Sequence, residues 1–226
     1  PDHPICINPP LLAWAELHLH RHRPSLPRLR RVYPRIKALH RWIESKFRGD
    51  DGLYFNDAHG AMDNIPRSPR GWRPDGKGIR LRLSRCHPSV RAFARSRYRE
   101  DLEWTPHWNR QGRMADISAQ MALDADRLAR IADLLGKQGE ADAWRGERDT
   151  LNDRINERLW DPKAGFYLDE AFGRLVPRFH IGGFWPLLSG AADRRQVQAL
   201  CRILRDPAKF GRPVPVPALS ADDPAY

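Results

Sequence analysis

The sequence predicts an all-α protein, and three observations carry that prediction. Apolar residues recur at spacings of three and four over most of the chain, the mark of helices with one buried stripe. The connections alternate between short ones, such as Gly136–Gly139, and long Gly/Pro-rich ones, such as Gly49–Arg113. Strand signals are sparse, and only Phe166-Tyr167-Leu168 reads as a short extended piece.

Taken in order, Asn8 can cap a first helix with Pro9 at its first position, followed by Leu11, Leu12, Trp14, Ala15, Leu17 and Leu19. A second helix is expected from Ser25 to about Phe47, with Leu29, Val32, Tyr33, Ile36, Leu39, Trp42 and Ile43 on one stripe. Pro27 suits its first turn, while Pro34 lies inside and should kink it. Arg48-Gly49-Asp50-Asp51-Gly52 ends it in turn residues. Ile117, Met121, Ala125, Leu128, Ile131, Ala132 and Leu135 define a helix from about Asp116 to Lys137, with Gly136 at its stop. Ala141, Trp144, Leu151, Ile155 and Leu159 define another from about Glu140 to Leu159. The short link between them predicts an antiparallel hairpin. Asp161-Pro162-Lys163-Ala164-Gly165 is a turn, and Asp193 should cap a last helix carrying Val197, Leu200, Cys201 and Leu204 up to Asp206-Pro207. No internal repeat at a fixed period is present, which argues against a short-repeat solenoid.

Composition excludes several classes. The 41% hydrophobic and 30% charged fractions are globular values. No apolar run of about 18 residues or more occurs, so neither a transmembrane helix nor a membrane partner is expected. Cys6, Cys86 and Cys201 lie far apart without a CxxC pair, which fits neither a disulfide scaffold nor a zinc knuckle and points to a reducing, cytoplasmic setting. The chain starts at Pro1-Asp2-His3 and stops within the turn residues Asp222-Asp223-Pro224-Ala225-Tyr226, so it is expected to be one partial domain over 1–226. The net charge of +11 is concentrated: Ile65–Arg110 holds 12 basic residues against four acids, or +8. Thirty-three of the 39 basic residues are Arg, a skew that reads as genome composition rather than as selection for phosphate contacts, and no nucleic-acid partner is expected. The stretch 68–98 is Arg-, Ser-, Pro- and Gly-rich without a sustained period. It reads as a basic surface loop, a disordered insertion or aberrant sequence.

The residues best suited to chemistry lie in Gly49-Asp50-Asp51-Gly52-Leu53-Tyr54-Phe55-Asn56-Asp57 and His59-Gly60-Ala61-Met62-Asp63-Asn64-Ile65-Pro66-Arg67. Carboxylates, an amide and an arginine among aromatics suit a sugar, whose ring stacks and whose hydroxyls accept and donate hydrogen bonds. On composition alone an Asp/Gly-rich turn capping a helix serves equally well. Asp116 can line a pocket or cap its helix, Arg67 can contact substrate or pair with a carboxylate, and Trp185 can be a sugar platform or core packing. Asp222 and Asp223 can simply form a turn before Pro224. His18 and His22 share a helix face without a third ligand nearby, so His18, His20 and His22 read as a solvated helix end. No P-loop, dinucleotide fingerprint or Ser-His-Asp spacing is present, and neither a cofactor nor a metal is expected.

Gly60-Ala61-Met62-Asp63-Asn64-Ile65-Pro66-Arg67 resembles the Gly-Met-Asp-Asn-Ser-Pro-Arg loop of glycoside hydrolase family 63, nearest its bacterial mannosylglycerate- and glucosylglycerate-hydrolase-like branch and more distantly trehalases. The likeness continues through Asp116-Ile117-Ser118-Ala119-Gln120, Ile155–Asp161 with Gly165-Phe166-Tyr167, Phe184-Trp185-Pro186-Leu187-Leu188-Ser189-Gly190, and Val216–Tyr226. It implies an (α/α)6 barrel, present here as an incomplete segment, and a small carbohydrate substrate. It also implies inverting hydrolysis of an α-glycosidic bond, with an acid and a base roughly 6.5–9.5 Å apart. The motif places the acid at Asp63 and substrate contacts at Gly60, Met62, Asn64, Arg67, Asp116 and Trp185. Ala61 and Ile65 depart from the pattern, and an added methyl could narrow the pocket. The family's base is a glutamate in a later motif, which Glu44, Glu100 and Glu103 do not match. A trehalase-like hydrolase and a catalytically silent helical carbohydrate-binding protein remain the alternative readings.

Overall fold

The structure is a computed structural model, and it describes residues 8–55 and 112–226. Helices dominate: α1 (Leu12–His22), α2 (Leu26–Phe47), α3 (Ala115–Leu134), α4 (Gln138–Leu159), the short α5 (Trp185–Ser189) and α6 (Arg194–Arg205). Five strands of two residues each punctuate them: β1 (Gly112–Arg113), β2 (Trp160–Asp161), β3 (Phe166–Tyr167), β4 (Glu170–Ala171) and β5 (Arg174–Leu175). Sequence periodicity finds only the β3 piece, because a two-residue strand is too short to alternate.

α3 is the inner helix. Ala115 to Ala125 are buried without a break, so its first three turns have no solvent face. Its N-terminal half joins one apolar cluster with Ile43, Phe47, Leu53, Tyr54, Ile155, Phe166 and Phe184. Its C-terminal half joins a second with Ala13, Leu29, Tyr33, Ile36 and Trp144. α4 runs back antiparallel along it, as the short link demands: Arg145 pairs with Asp133, and further along Arg148 reaches Asp126 at 3.0 Å. The link closes on Gly136, whose φ of 72° is the left-handed helix stop read from sequence.

The expected cap holds on α6 and fails on α1, while Ser25 supplies a cap on α2 that the sequence pattern does not single out. Ser25 Oγ accepts from Arg28 N at 3.3 Å, and α2 then runs unbroken through Pro34 to Phe47. Asp193 and Gln196 form a reciprocal capping box on α6, which stops at Asp206 as expected. Asn8 does not cap α1. The helix begins three residues later than Pro9, with Leu11 as an N-cap that offers no side-chain bond. Pro10 explains this, since a residue before proline is pushed out of the helical region and Pro9 is such a residue.

The periodicity also passes over His40. It is 1% exposed and lies between two carboxylates, with Nδ1 2.8 Å from Asp124 Oδ2 and Nε2 2.7 Å from Glu147 Oε1. Two ionised acceptors require two N–H donors, so the ring is an imidazolium bridging α2, α3 and α4. Arg41 pairs with Glu147 at 2.8 Å and lies over the Trp144 ring, whose edge meets His40. Burial opposes the charge on His40, but hydrogen bonds from Asp124 and Glu147 outweigh it and raise its pKa above 6.5. Burial likewise works against the Glu147 carboxylate, yet its bonds to His40 and Arg41 bring its pKa below 4.5. Burial wins only at Asp124, whose pKa is raised despite His40.

The signs define a stability window. The raised His40 contributes stability fully below 6.5 and loses it as pH rises through the folded value. The lowered Glu147 contributes above 4.5 and loses it as pH falls. Asp124 acts oppositely to Glu147, because ionising it in the fold costs stability as pH climbs through its raised value. Urea unfolding should therefore show stability falling on the alkaline side of 6.5. His40→Gln, which cannot titrate, should flatten that limb. His40→Ala should cost about 3–5 kcal/mol near pH 6, because it strands the buried Asp124 carboxylate, whereas Glu147 keeps Arg41.

Candidate active site

The tip of α3 is where chemistry-bearing residues converge. Tyr54 lies there, its N–H donating to Ser118 Oγ at 3.0 Å and its carbonyl accepting from Met114 N at 2.9 Å. Burial raises the Tyr54 phenol, which stays neutral at physiological pH. The segment 56–111 is thus bounded by flanks that are hydrogen-bonded side by side at this tip. Below it, Asp51 accepts from Arg113 Nε at 2.7 Å and also pairs with Arg158, which bonds Glu170. Burial would raise the Asp51 carboxyl, but Arg113 and the Leu53 N–H bring it below its usual range.

A helix start buried this deeply needs acceptors for its amides. Asp169, 1% exposed, supplies one: Oδ1 accepts from Ala115 N at 2.9 Å. Its Oδ2 lies 3.1 Å from His180 Nε2, and His180 Nδ1 accepts from Gly182 N at 3.1 Å. That bond fixes the tautomer, because Nδ1 is an acceptor and Nε2 must carry the hydrogen toward Asp169. The 3₁₀ turn Ile181–Phe184 therefore begins at the end of a relay rooted in α3. The last segment closes beside it: Ile181 N donates to Ala218 O, Ser220 N to Phe179 O, and Arg178 clasps Asp223 at 2.9 and 3.0 Å.

Asp116, among the residues expected to act, stands in the first turn of α3, 1% exposed. Its Oδ1 accepts from Ile117 N at 2.8 Å, favourable for a carboxylate at a helix N-terminus. A Cβ on Gly182 would lie 3.1 Å from Asp116 Oδ2 and 2.7 Å from the His180 ring, so Asp116 and His180 flank the same backbone. Trp185 opens α5, partly buried against the core at the end of the same 3₁₀ turn. Gly60, Met62, Asp63, Asn64 and Arg67, and the stretch 68–98, lie outside the described residues.

Sequence reading missed Asp169, His180 and Gln120. Gln120 sits one turn beyond Asp116, is fully buried, and has neither amide atom hydrogen-bonded. Periodicity could have found it, since a glutamine at the buried spacing of Ile117 and Met121 is a polar residue in an apolar position. Asp169 and His180 follow apolar runs in short connections and carry no periodic signal. Among the described residues no cluster of three or more His, Cys, Asp or Glu could hold a metal, and no helix is long and apolar enough to cross a membrane.

Among the described residues an antiparallel helical hairpin carries buried carboxylates at one end. The chain belongs to the mannosylglycerate hydrolase MGH1-like glycoside hydrolase domain family, whose model matches residues 3–226. A glycoside hydrolase family 63 mannosylglycerate hydrolase from Thermus thermophilus, solved with glucose, is 21% identical with a TM-score of 0.69. The match covers 96% of this chain and 56% of that one. The same enzyme with Tris and D-glycerate is 20% identical at 0.67, covering 96% and 58%. An uncharacterised protein of Borreliella burgdorferi is 23% identical over 219 residues, 96% of this chain and 38% of its own length. The chain thus spans well under two thirds of the length of these relatives. The fold is a mostly helical, partial six-hairpin barrel, and the expected (α/α)6 class stands.

Gly183 tests how tightly this tip is built. A Cβ there would lie 2.5 Å from the Tyr167 carbonyl oxygen and would overlap the Phe166 ring, and the carbonyl has nowhere to move. Gly183→Ala should therefore lower stability by about 1–3 kcal/mol in denaturant unfolding. Gly146→Ala, at an open helical position on α4, should be neutral or stabilising in the same assay.

Proposed function

We propose that this chain is the acid-bearing portion of an inverting α-glycoside hydrolase acting on a small glucoside or mannoside, with Asp63 as the general acid. The observation that carries the reading is Asp63-Asn64 within the Gly60–Arg67 loop of a chain whose family match runs over residues 3–226. The glucose, Tris and D-glycerate in the Thermus relatives support a small, hydroxyl-rich substrate with an acidic aglycone.

In this mechanism Asp63 delivers its proton to the departing glycosidic oxygen while a carboxylate on the opposite face of the ring activates water. The acid must stay protonated near neutral pH, through burial or a negative neighbour. The flanks of its segment meet beside the buried Asp116 and Asp169, which supports a site able to raise a carboxyl pKa. Gly60, Met62, Asn64, Arg67, Asp116 and Trp185 line the substrate in this reading.

In this reading the base comes from outside these 226 residues, because Glu44, Glu100 and Glu103 do not match the family's glutamate motif. Each glutamate among the described residues is already in an ion pair: Glu16 with Arg28, Glu44 with Arg48, Glu140 with Lys37, Glu147 with His40, Glu157 with Arg154 and Glu170 with Arg158. A carboxylate held this way is a weak base. The reading also takes 1–226 as one partial barrel domain, with 68–98 as an Arg-rich loop upon it.

In a full-length parent, Asp63→Asn should keep substrate affinity while lowering kcat about 10²–10⁴-fold, because the amide keeps the shape but has no proton to give. An aryl glycoside with a good leaving group should recover part of the loss. The 226-residue chain alone should hydrolyse neither glucosylglycerate, mannosylglycerate nor trehalose. Wild-type turnover in the variant would remove Asp63 as acid, and hydrolysis by the chain alone would put the base among its own residues.

A further inference from the structure

The groove between α1 and α3 is built for an anion, on the far half of α3 from Asp116. It encloses about 390 Å³ and is lined by Trp14, Leu17 and Arg21 from α1 and by Arg127, Arg130 and Leu134 from α3. These guanidiniums are short of counter-charge. Asp126 is shared by Arg127 at 2.7 Å and Arg130 at 3.0 Å, and also by Arg148 at 3.0 Å, which has Asp149 as well. Asp133, the carboxylate on the groove wall, is engaged by Arg145. Arg21 has no ion-pair partner among the described residues, and Arg127 Nε is buried without an acceptor. Burial and the nearby Arg130 and Arg21 charges destabilise the Arg127 cation, against the pull of Asp126.

Arg127 and Arg130 share one carboxylate and Arg21 pairs with none among the described residues, so a second anion would relieve their mutual repulsion, and their planar forks suit phosphate oxygens in pairs. His20 extends the donor set. Its Nδ1 accepts from Ser25 N at 3.1 Å, so Nε2 carries a hydrogen. Trp14, on the α1 wall, adds an aromatic surface for whatever the phosphate is attached to.

We propose that this groove is a binding site for a phosphate group carried on a small, partly apolar molecule, distinct from the sugar site. Isothermal titration of the chain at fixed ionic strength should show saturable binding of phenyl phosphate, with inorganic phosphate weaker. Arg21→Gln, on an exposed helix position, and Arg127→Gln should each weaken phenyl phosphate at least tenfold, while Arg195→Gln on α6 should leave it unchanged. Trp14→Ala should bring phenyl phosphate down to the affinity of inorganic phosphate. Equal binding of the two probes in the unmodified chain would assign the site to free phosphate. If Arg127→Gln fails to fold, the Arg21→Gln result alone decides. Absence of saturable binding by either probe, or binding indifferent to Arg21→Gln, overturns the proposal.

Discussion

The structure turns on one buried carboxylate, Asp169. A helix that starts inside the protein exposes amide donors to no water, and each one left unpaired costs about 1–3 kcal/mol. Asp169 meets that demand at Ala115 with one oxygen and uses the other to hold His180. His180 in turn accepts from Gly182, so a single side chain sets the start of α3, the tautomer of a histidine and the onset of the 3₁₀ turn before Trp185. α3 can be fully buried at this end only because its cap comes from a distant connection rather than from Met114, its own N-cap, which has no acceptor to offer.

That dependence explains what could be read from the sequence. α2, α3, α4 and α6 were legible because each buries one stripe of apolar residues and stops at a turn former such as Gly136 or Asp206. The hairpin of α3 and α4 followed from the length of their link. What escaped was polar burial. His40 occupies a core position of α2 that a hydrophobic pattern skips, and its cost is met by two carboxylates on other helices, one of them 107 residues away in sequence. No local pattern reports such a partner. The start of α1 was misplaced for a different reason: Asn8 and Pro9 form a good local start, and Pro10 vetoes it.

The site was legible in kind and not in assembly. Asp116 could be singled out as a carboxylate opening a helix, and its burial next to Gly182 and His180 makes it part of the tip rather than a solvated cap. Trp185 could be singled out as an aromatic in a short apolar run, and it packs partly into the core. His180 and Asp169 could not, since a histidine and an aspartate 11 residues apart in sequence acquire meaning only when the fold sets Asp169 between His180 and the Ala115 amide. Gln120 is the instructive middle case, a polar residue on an apolar spacing whose two unpartnered amide atoms mark it as costly wherever the helix packs.

Charge follows the same division between local and assembled information. A pI of 10.2 suggests a phosphate-binding surface, yet most of the net +11 falls within Ile65–Arg110. Among the described residues, arginine serves mainly as a structural fork. Arg113 and Arg158 clamp Asp51, Arg178 clasps Asp223, and Arg41 and Arg48 share Glu44. The more exposed of these, such as Arg41–Glu44, contribute little individually, about 0–1 kcal/mol, but every pair neutralises the cation that makes it. The meaningful positive charge is therefore what remains after pairing. Part of it lies where Arg127 and Arg130 share Asp126 and where Arg21 lines the same groove. A count over the whole chain dilutes that difference, because paired and unpaired arginines weigh the same in a sum and differ only in the fold.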